Sequence, residues 1–476
     1  MGDPDRNKRG LLQIRSGYSP NCSSYGSVVG IAMTSAALAA VVVNMWADRF
    51  AAWLDNDDGG DAPDGDGGPN DSGGPPEPNP TPDAPTLRVE SFGGILGWPD
   101  GQIMLDQEAT HAAHAAGARV VGSGAVIAGA MSAPVEVHLA VTNRCPASCT
   151  GCYLSAGPDQ AFEEPDLAAT LDELQAMGVL QVALGGGEAM LRRDVFDIAR
   201  AVRDRGMVPN LTTSGFGVTP LRAKEMAELF GQINVSIDGV GETYTLARGW
   251  DGTQRAVETI EMLVAAGARV GANTVLTRPL WETPGALETL GEALRDLGVQ
   301  EWQWLRFKPT GRGRDAYEAL APDLHNLWPR LLSAEAQEHS MRIDCALTPF
   351  LPDLPVERMQ TMGVVGCPGG HSLWARSATG HWAPCSFVQG DEKASSLEDA
   401  WSADPTLLAW RQQAETPPEP CASCPRQSVC RGGCRAVALH LTGDALAPDP
   451  ECPRVLAWQA DRLDVVDPVT CAEEAS

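Results

Sequence analysis

Three cysteines fall within eight residues of the stretch VTNRCPASCTGCYLSAG: Cys145, Cys149 and Cys152, a CX3CX2C spacing directly after an apolar run. Thiolates this close together can hold three corners of a [4Fe-4S] cube. The loop has no fourth thiol, so one iron would lack a protein ligand, and an open iron is a reaction site. A second group, Cys421, Cys424, Cys430 and Cys434, follows CX2CX5CX3C, with Cys452 further on. CX2C pairs also build zinc ribbons, so this group taken alone leaves zinc open beside iron-sulfur chemistry. The chain carries 13 cysteines in 476 residues. A disulfide framework suits short secreted chains, and no clear secretory signal is present here, so metal ligation leads.

The elements that must position these thiols are legible in the apolar pattern. Strand-like runs at 135–141, 180–184, 209–213, 233–237, 268–277 and 302–307 alternate with helical patterns such as DLAATLDELQAMG and TQRAVETIEMLVAAG. In the latter, apolar residues recur three and four apart and Gly marks the stop. Six strand-helix repeats predict an α/β fold with a parallel sheet closed or nearly closed into a barrel, which carries its reactive groups on loops at the carboxyl ends of the strands. The first cysteine triplet sits at such an end.

Outside this region the texture changes. Residues 55–86 contain nine acidic residues, eight prolines and no Lys or Arg, the composition of a disordered linker. Residues 28–46 carry no charge and are long enough to be a candidate membrane span, although their basic upstream flank would put the cysteines outside the cytoplasm. Residues 1–54 are therefore expected to be a leader-like or membrane-associated segment. Residues 87–133 read as a hairpin plus a short helix. The formal charge of -27 excludes a general nucleic-acid binder. Arg306, Lys308, Arg312 and Arg314 form the main basic concentration, read as a solvated strand-end cluster or as a site for an acidic group. No HX3-5H pair lies near the cysteines, and no phosphate-cradling GXXXXGK[ST] loop occurs.

Taken together, CX3CX2C after the first strand, GGGE at 185–188 after the second and SIDG at 236–239 on the fourth resemble a radical S-adenosylmethionine (SAM) enzyme. The C-terminal part is similar to the SPASM auxiliary-cluster domain of that superfamily, through Cys367, Gly380 and Cys385, then Cys421, Cys424, Cys430 and Cys434, then Cys452. The resemblance covers residues 135–454. It implies a partial (β/α)6 TIM-like barrel at 134–310, a bridging segment at 311–344, an auxiliary iron-sulfur domain at 345–458 and a tail at 459–476.

The resemblance also implies roles. The cluster on Cys145, Cys149 and Cys152 would bind SAM and split it to a 5'-deoxyadenosyl radical. Gly186, Gly187 and Glu188 would receive the SAM ammonium, and Ser236 and Arg248 its carboxylate, with Thr212 and Ser214 possible neighbours. Family members usually have an aromatic residue before the third cysteine; here Gly151 stands there, and Tyr153 is the candidate for adenine contact. Two auxiliary [4Fe-4S] clusters would sit on Cys421, Cys424, Cys430 and Cys452, and on Cys367, Cys385 and Cys434 with Cys345 as fourth ligand or as a buried core cysteine. Cys22 and Cys471 have no expected role. The implied activity is oxidation or crosslinking of a ribosomally made peptide, either a leader-bearing partner or the fused N-terminal segment. A flavodoxin- or ferredoxin-type electron donor and a cytoplasmic location go with it. The alternatives are a radical SAM enzyme acting on a small or haem-type molecule, and a nonenzymatic metal protein. No catalytic residue is assigned.

Overall fold

The computed structural model describes residues 85–463 apart from 99–100, 116–117, 161–166, 319–323, 325–326, 336–339 and 391–395. The leader-like segment, nearly all of the acidic linker, the candidate span at 28–46, Cys22 and Cys471 lie outside the described residues. Among the described residues no helix is long and apolar enough to cross a membrane.

The preface is larger than a hairpin. Strands β1 (Thr86–Glu90), β2 (Gly93–Trp98) and β3 (Gly101–Asp106) form an antiparallel meander, the helix Gln107–Ala115 follows, and β4 (Arg119–Val121) joins β1 in parallel. Arg88 fastens this small sheet to the rest of the protein. Its side chain is fully buried, pairs with Glu90 at 2.8 Å and donates to the carbonyls of Pro134 and Gly178 at 2.8 and 3.0 Å.

The main sheet has nine strands in the order β11-β10-β9-β8-β7-β6-β5-β12-β13. The six predicted strands are β5 (Glu136–Thr142), β6 (Gln181–Gly186), β7 (Val208–Thr213), β8 (Ile233–Ser236), β9 (Val270–Leu276) and β10 (Glu301–Arg306). All pair in parallel with their neighbours. Three more were not expected. β11 (Ser340–Ile343) extends the parallel sheet from within the bridging segment, and β12 (Leu373–Arg376) pairs in parallel with β5, with β13 (Trp382–Ala383) returning antiparallel to it. The cysteine-rich part therefore completes one edge of the barrel sheet.

Helix faces follow the sequence period. The helix Val195–Asp204 buries Val195, Ile198, Ala199 and Val202, and Ala286–Asp296 buries Leu287, Leu290 and Leu294. On β10, Trp302 and Trp304 are buried in the main apolar core, while the neighbouring Glu301 pairs with Arg342 at 2.5 Å and accepts from Gln232 at 2.9 Å. Strand alternation thus separates an apolar layer from a hydrogen-bonded polar one.

Candidate functional site

The chain leaves β5 at Thr142 and enters the cysteine loop, which closes where Cys145 N donates to Gly157 O at 3.0 Å. Within it Cys152 N donates to Cys149 O at 3.3 Å, turning the three thiols toward one space. All three line a cavity of about 630 Å³, together with Gly185, Gly186, Gly187, Thr212, Ser214, Ser236 and Arg248. Cys145 is buried, which pushes its thiol up to about 11. The described residues include eleven of the cysteines.

The glycine triplet is dictated by close approach. A Cβ on Gly186, whose φ is +118°, would stand 2.3 Å from Thr142 O, and one on Gly187 would stand 2.3 Å from Arg144 O. The gain is a pair of backbone bonds, Gly187 N to Thr142 O at 2.7 Å and Glu188 N to Arg144 O at 2.9 Å, that lash β6 to the cysteine loop. Gly185 differs: a Cβ there would meet nothing within 4 Å.

Glu188 is held within the protein. It is 1% exposed, is not among the cavity-lining residues, and its carboxylate accepts from Thr213 Oγ1 at 2.8 Å, Ser214 N at 2.7 Å and Met190 N at 3.3 Å. Burial pushes its pKa up to about 7 against those donors. Its carboxylate orients the end of β7, and the backbone of its glycine neighbours faces the cavity. Arg248 also has a protein partner: Nε donates to Asp238 at 2.7 Å, and Asp238 in turn accepts from Val275 N at 2.7 Å. Tyr153 lines the cavity with its ring 4.6 Å from that of Phe387. Over Gly151 lies Phe307, so close that a Cβ would meet its Cε2 at 2.7 Å; the aromatic surface at that point comes from the end of β10.

The basic cluster is only partly solvated. Arg306 and Lys308 are 4% and 3% exposed. Arg306 forms two bonds to Asp449, at 2.6 and 3.1 Å, and one to Glu451 at 2.6 Å, while Lys308 pairs with Asp344. Arg312 Nε donates to Cys149 O at 3.0 Å, and Arg314 is exposed beside His440. Long-range acidic partners make the first two residues internal.

One constellation had no expectation attached. His138 on β5 binds Ser386 Oγ through Nδ1 at 2.8 Å and Glu136 Oε1 through Nε2 at 3.0 Å, and both His138 and Ser386 line the cavity. The only signals in the sequence are the i, i+2 spacing of Glu136 and His138 and the position of Ser386 next to Cys385. Such a relay can take a proton from a bound molecule and hold it.

The remaining thiols divide in space. Cys345, Cys367 and Cys385 share one buried cluster with Leu373 and Trp410. Cys434 packs beside Ala346 and Val437, in the field of Lys308 and Arg306. Cys421 and Cys430 each feel the charge of Cys452, and Cys421 that of Cys424 as well. Burial pushes Cys421 up to about 11 and Cys430 and Cys434 up to about 12.

Comparison with known proteins agrees with this geometry. The Radical SAM superfamily profile matches residues 139–281. A PqqA peptide cyclase of Methylocella silvestris is 31% identical over 337 residues, 67% of this chain and 87% of that protein. This chain belongs to the radical SAM superfamily. A pre-heme d1 synthase of Dinoroseobacter shibae is 29% identical over 361 residues, 68% of this chain and 87% of the other. In fold, the radical SAM enzyme is similar to Streptococcus suis SuiB bound to precursor peptide SuiA, with a TM-score of 0.62 at 17% identity over 78% of this chain and 99% of that one. It is also similar to anSMEcpe with bound AdoMet, with a TM-score of 0.54 at 17% identity over 70% and 99%.

A radical SAM enzyme works with a [4Fe-4S] cluster and SAM, and the cavity suits that pair. Three thiols line it. Among the lining residues, Thr212 Oγ1, Thr277 Oγ1 and both amide atoms of Asn273 are buried without a hydrogen-bond partner in the protein. Buried polar atoms need partners, and a polar ligand supplies them.

Proposed function

We propose that this radical SAM enzyme modifies a ribosomally made peptide by crosslinking or side-chain oxidation. The observation that carries the reading is one cavity whose lining includes both Cys145, Cys149 and Cys152 and Cys385–Gly390 of the cysteine-rich part. A substrate there would meet both the cysteine loop and the Cys385 segment. The likeness to a PqqA peptide cyclase supports a peptide as that substrate.

Bound SAM supplies, on one-electron reduction, a 5'-deoxyadenosyl radical able to take hydrogen from an unactivated carbon. The protein's part is to hold, orient and exclude water. Cys145, Cys149 and Cys152 hold the cluster. The backbone of Gly185, Gly186 and Gly187 takes the SAM ammonium, because the Glu188 carboxylate is already committed. Ser236 and Arg248 face the carboxylate, and Tyr153 and Phe307 offer the adenine an aromatic wall. Removal of a hydrogen atom by that radical, and then of an electron that an auxiliary cluster on the C-terminal cysteines would accept, leaves a proton, and the Ser386 hydroxyl backed by His138 and Glu136 is placed to receive it.

Cys421, Cys424, Cys430 and Cys452 hold one auxiliary cluster and Cys345, Cys367, Cys385 and Cys434 the other. A flavodoxin- or ferredoxin-type donor and the reducing cytoplasm suit such clusters.

Anaerobic reconstitution should give about twelve irons per chain and SAM-dependent 5'-deoxyadenosine. Co-expression with the small peptides encoded beside this gene should yield a mass loss in units of two hydrogens. Stoichiometric zinc without 5'-deoxyadenosine would refute the enzyme. Product formation from a small molecule with no peptide present would move the reading to the class of the pre-heme d1 synthase relative.

A further inference from the structure

Cys149 is engaged by side chains from outside its own loop. Its Sγ accepts from the indole Nε1–H of Trp250 at 3.0 Å, and the Arg248 Nη1 lies 4.0 Å from the same sulfur. Both come from residues 248–250, RGW, at the end of the helix Glu242–Arg248 that follows β8. The segment is built against the cysteine loop. Thr150 N donates to Arg248 O at 3.2 Å, and Gly249, with φ +78°, passes so near Thr150 that a Cβ would stand 2.8 Å from its Cγ2.

The indole is fixed by packing. Its ring meets Tyr244 edge-on at 5.7 Å and Phe216 at 5.5 Å, and a Cβ on Gly252 would lie 2.4 Å from it. Arg248 is fixed by Asp238 at 2.7 Å. The direction of the indole N–H is therefore set before any metal arrives.

Hydrogen bonds to the sulfurs of an iron-sulfur cluster are one of the controls on its reduction potential. A donor aimed at a ligand sulfur stabilises the more negative, reduced state and so raises that potential. We propose, on the reading that Cys145, Cys149 and Cys152 hold the SAM-binding cluster, that Trp250 is a positioning residue whose indole N–H, supported by the Arg248 charge, raises the reduction potential of that cluster through Cys149. The RGW segment thereby brings the first electron within reach of a weak donor.

The test uses the full chain with its clusters reconstituted. The SAM-binding cluster is identified as the paramagnetic signal that changes on adding SAM, and its midpoint is read by potentiometric titration. Trp250→Phe keeps a ring and loses the N–H. The expected result is unchanged iron content, an unchanged SAM-induced spectral change, and a reduction equilibrium displaced about tenfold toward the oxidised form, a midpoint roughly 59 mV lower. 5'-Deoxyadenosine formation should fall with dithionite and recover with the stronger reductant Ti(III) citrate. Replacing Trp250 by β-(3-benzothienyl)alanine, the same shape without the N–H, should give the same shift. Wild-type protein exchanged into deuterium oxide should show a deuteron coupled to the reduced cluster.

A reduction equilibrium within about 1.5-fold of wild type in either loaded variant overturns the proposal. So does the absence of a coupled deuteron in the wild type, a measurement that stands even where neither variant takes up iron. A wild-type chain with no SAM-responsive cluster would instead overturn the assignment of the first three cysteines.

Discussion

Glu188 sits where a carboxylate gathers three donors that belong to two different strand ends. Replacing it by Gln puts an amide NH2 opposite at least one of those donors and leaves that donor without an acceptor. A buried unsatisfied group costs about 1–3 kcal/mol, and Glu188→Gln should lower the denaturation midpoint accordingly while SAM affinity falls, because Thr213 and Ser214 lose their anchor. Equilibrium binding of SAM to the cluster-loaded variant checks the second effect. Were Glu188 instead a direct ligand of the ammonium, affinity would drop with no loss of stability. His138 gives a different residue-scale expectation. His138→Gln should leave iron loading and SAM-dependent 5'-deoxyadenosine within about twofold, since the two imidazole nitrogens bond Ser386 and Glu136 outside the cysteine loop, but should lower peptide product by about 100-fold, the usual scale of a lost acid-base group. Mass spectrometry of the co-expressed peptide separates the two readouts.

At the scale of elements, the contact between β6 and the cysteine loop is steric before it is chemical. Gly187→Ala would force a Cβ to within 2.3 Å of Arg144 O, so the strand end must move away from the loop that carries Cys145. Overpacking of this kind costs about 1–3 kcal/mol, and the displaced loop should bind SAM at least about tenfold more weakly. Gly185→Ala adds the same methyl into open space and should leave the unfolding midpoint unchanged. The pair of variants separates a backbone requirement from a mere preference for small residues. The same elements show what a sequence can and cannot reveal. The six central strands were readable because each carries buried apolar residues in a run that alternates with an amphipathic helical pattern. β11 and β12 were not, because each falls outside the regular strand-helix alternation and is drawn into the sheet by pairing with β10 or β5. The cysteine spacings were readable because ligand loops are local. The Glu136–His138–Ser386 relay was not, because His138 and Ser386 stand 248 residues apart and meet only after β12 docks on β5. Arg306 and Lys308 looked solvated for the same reason, their partners Asp449, Glu451 and Asp344 being remote in the chain.

For the molecule as a whole, the seam between the N-terminal preface and the cysteine-rich part is held by His371. Its Nδ1 donates to Gly129 O, while Met131 N donates to His371 O at 2.8 Å. Burial, aided by the nearby Arg431 charge, lowers its pKa from 6.5 to about 4. Between those values the unfolded chain binds a proton that the folded one refuses, so stability is lost as pH falls through that window. Glu188 works the other way: with its pKa raised from 4.5 to about 7, the folded state binds the extra proton and gains stability as pH falls from 7 toward 4.5. The two contributions oppose each other, and the wild type should vary little with pH on their account. His371→Gln keeps a donor for Gly129 O and removes the titration. The stability of wild type relative to this variant should therefore drop by about 2 kcal/mol between pH 7 and pH 5, read from urea midpoints at the two values. A constant difference across that range would mean that His371 binds protons alike in the folded and unfolded chains, so that burial at the seam does not shift its titration.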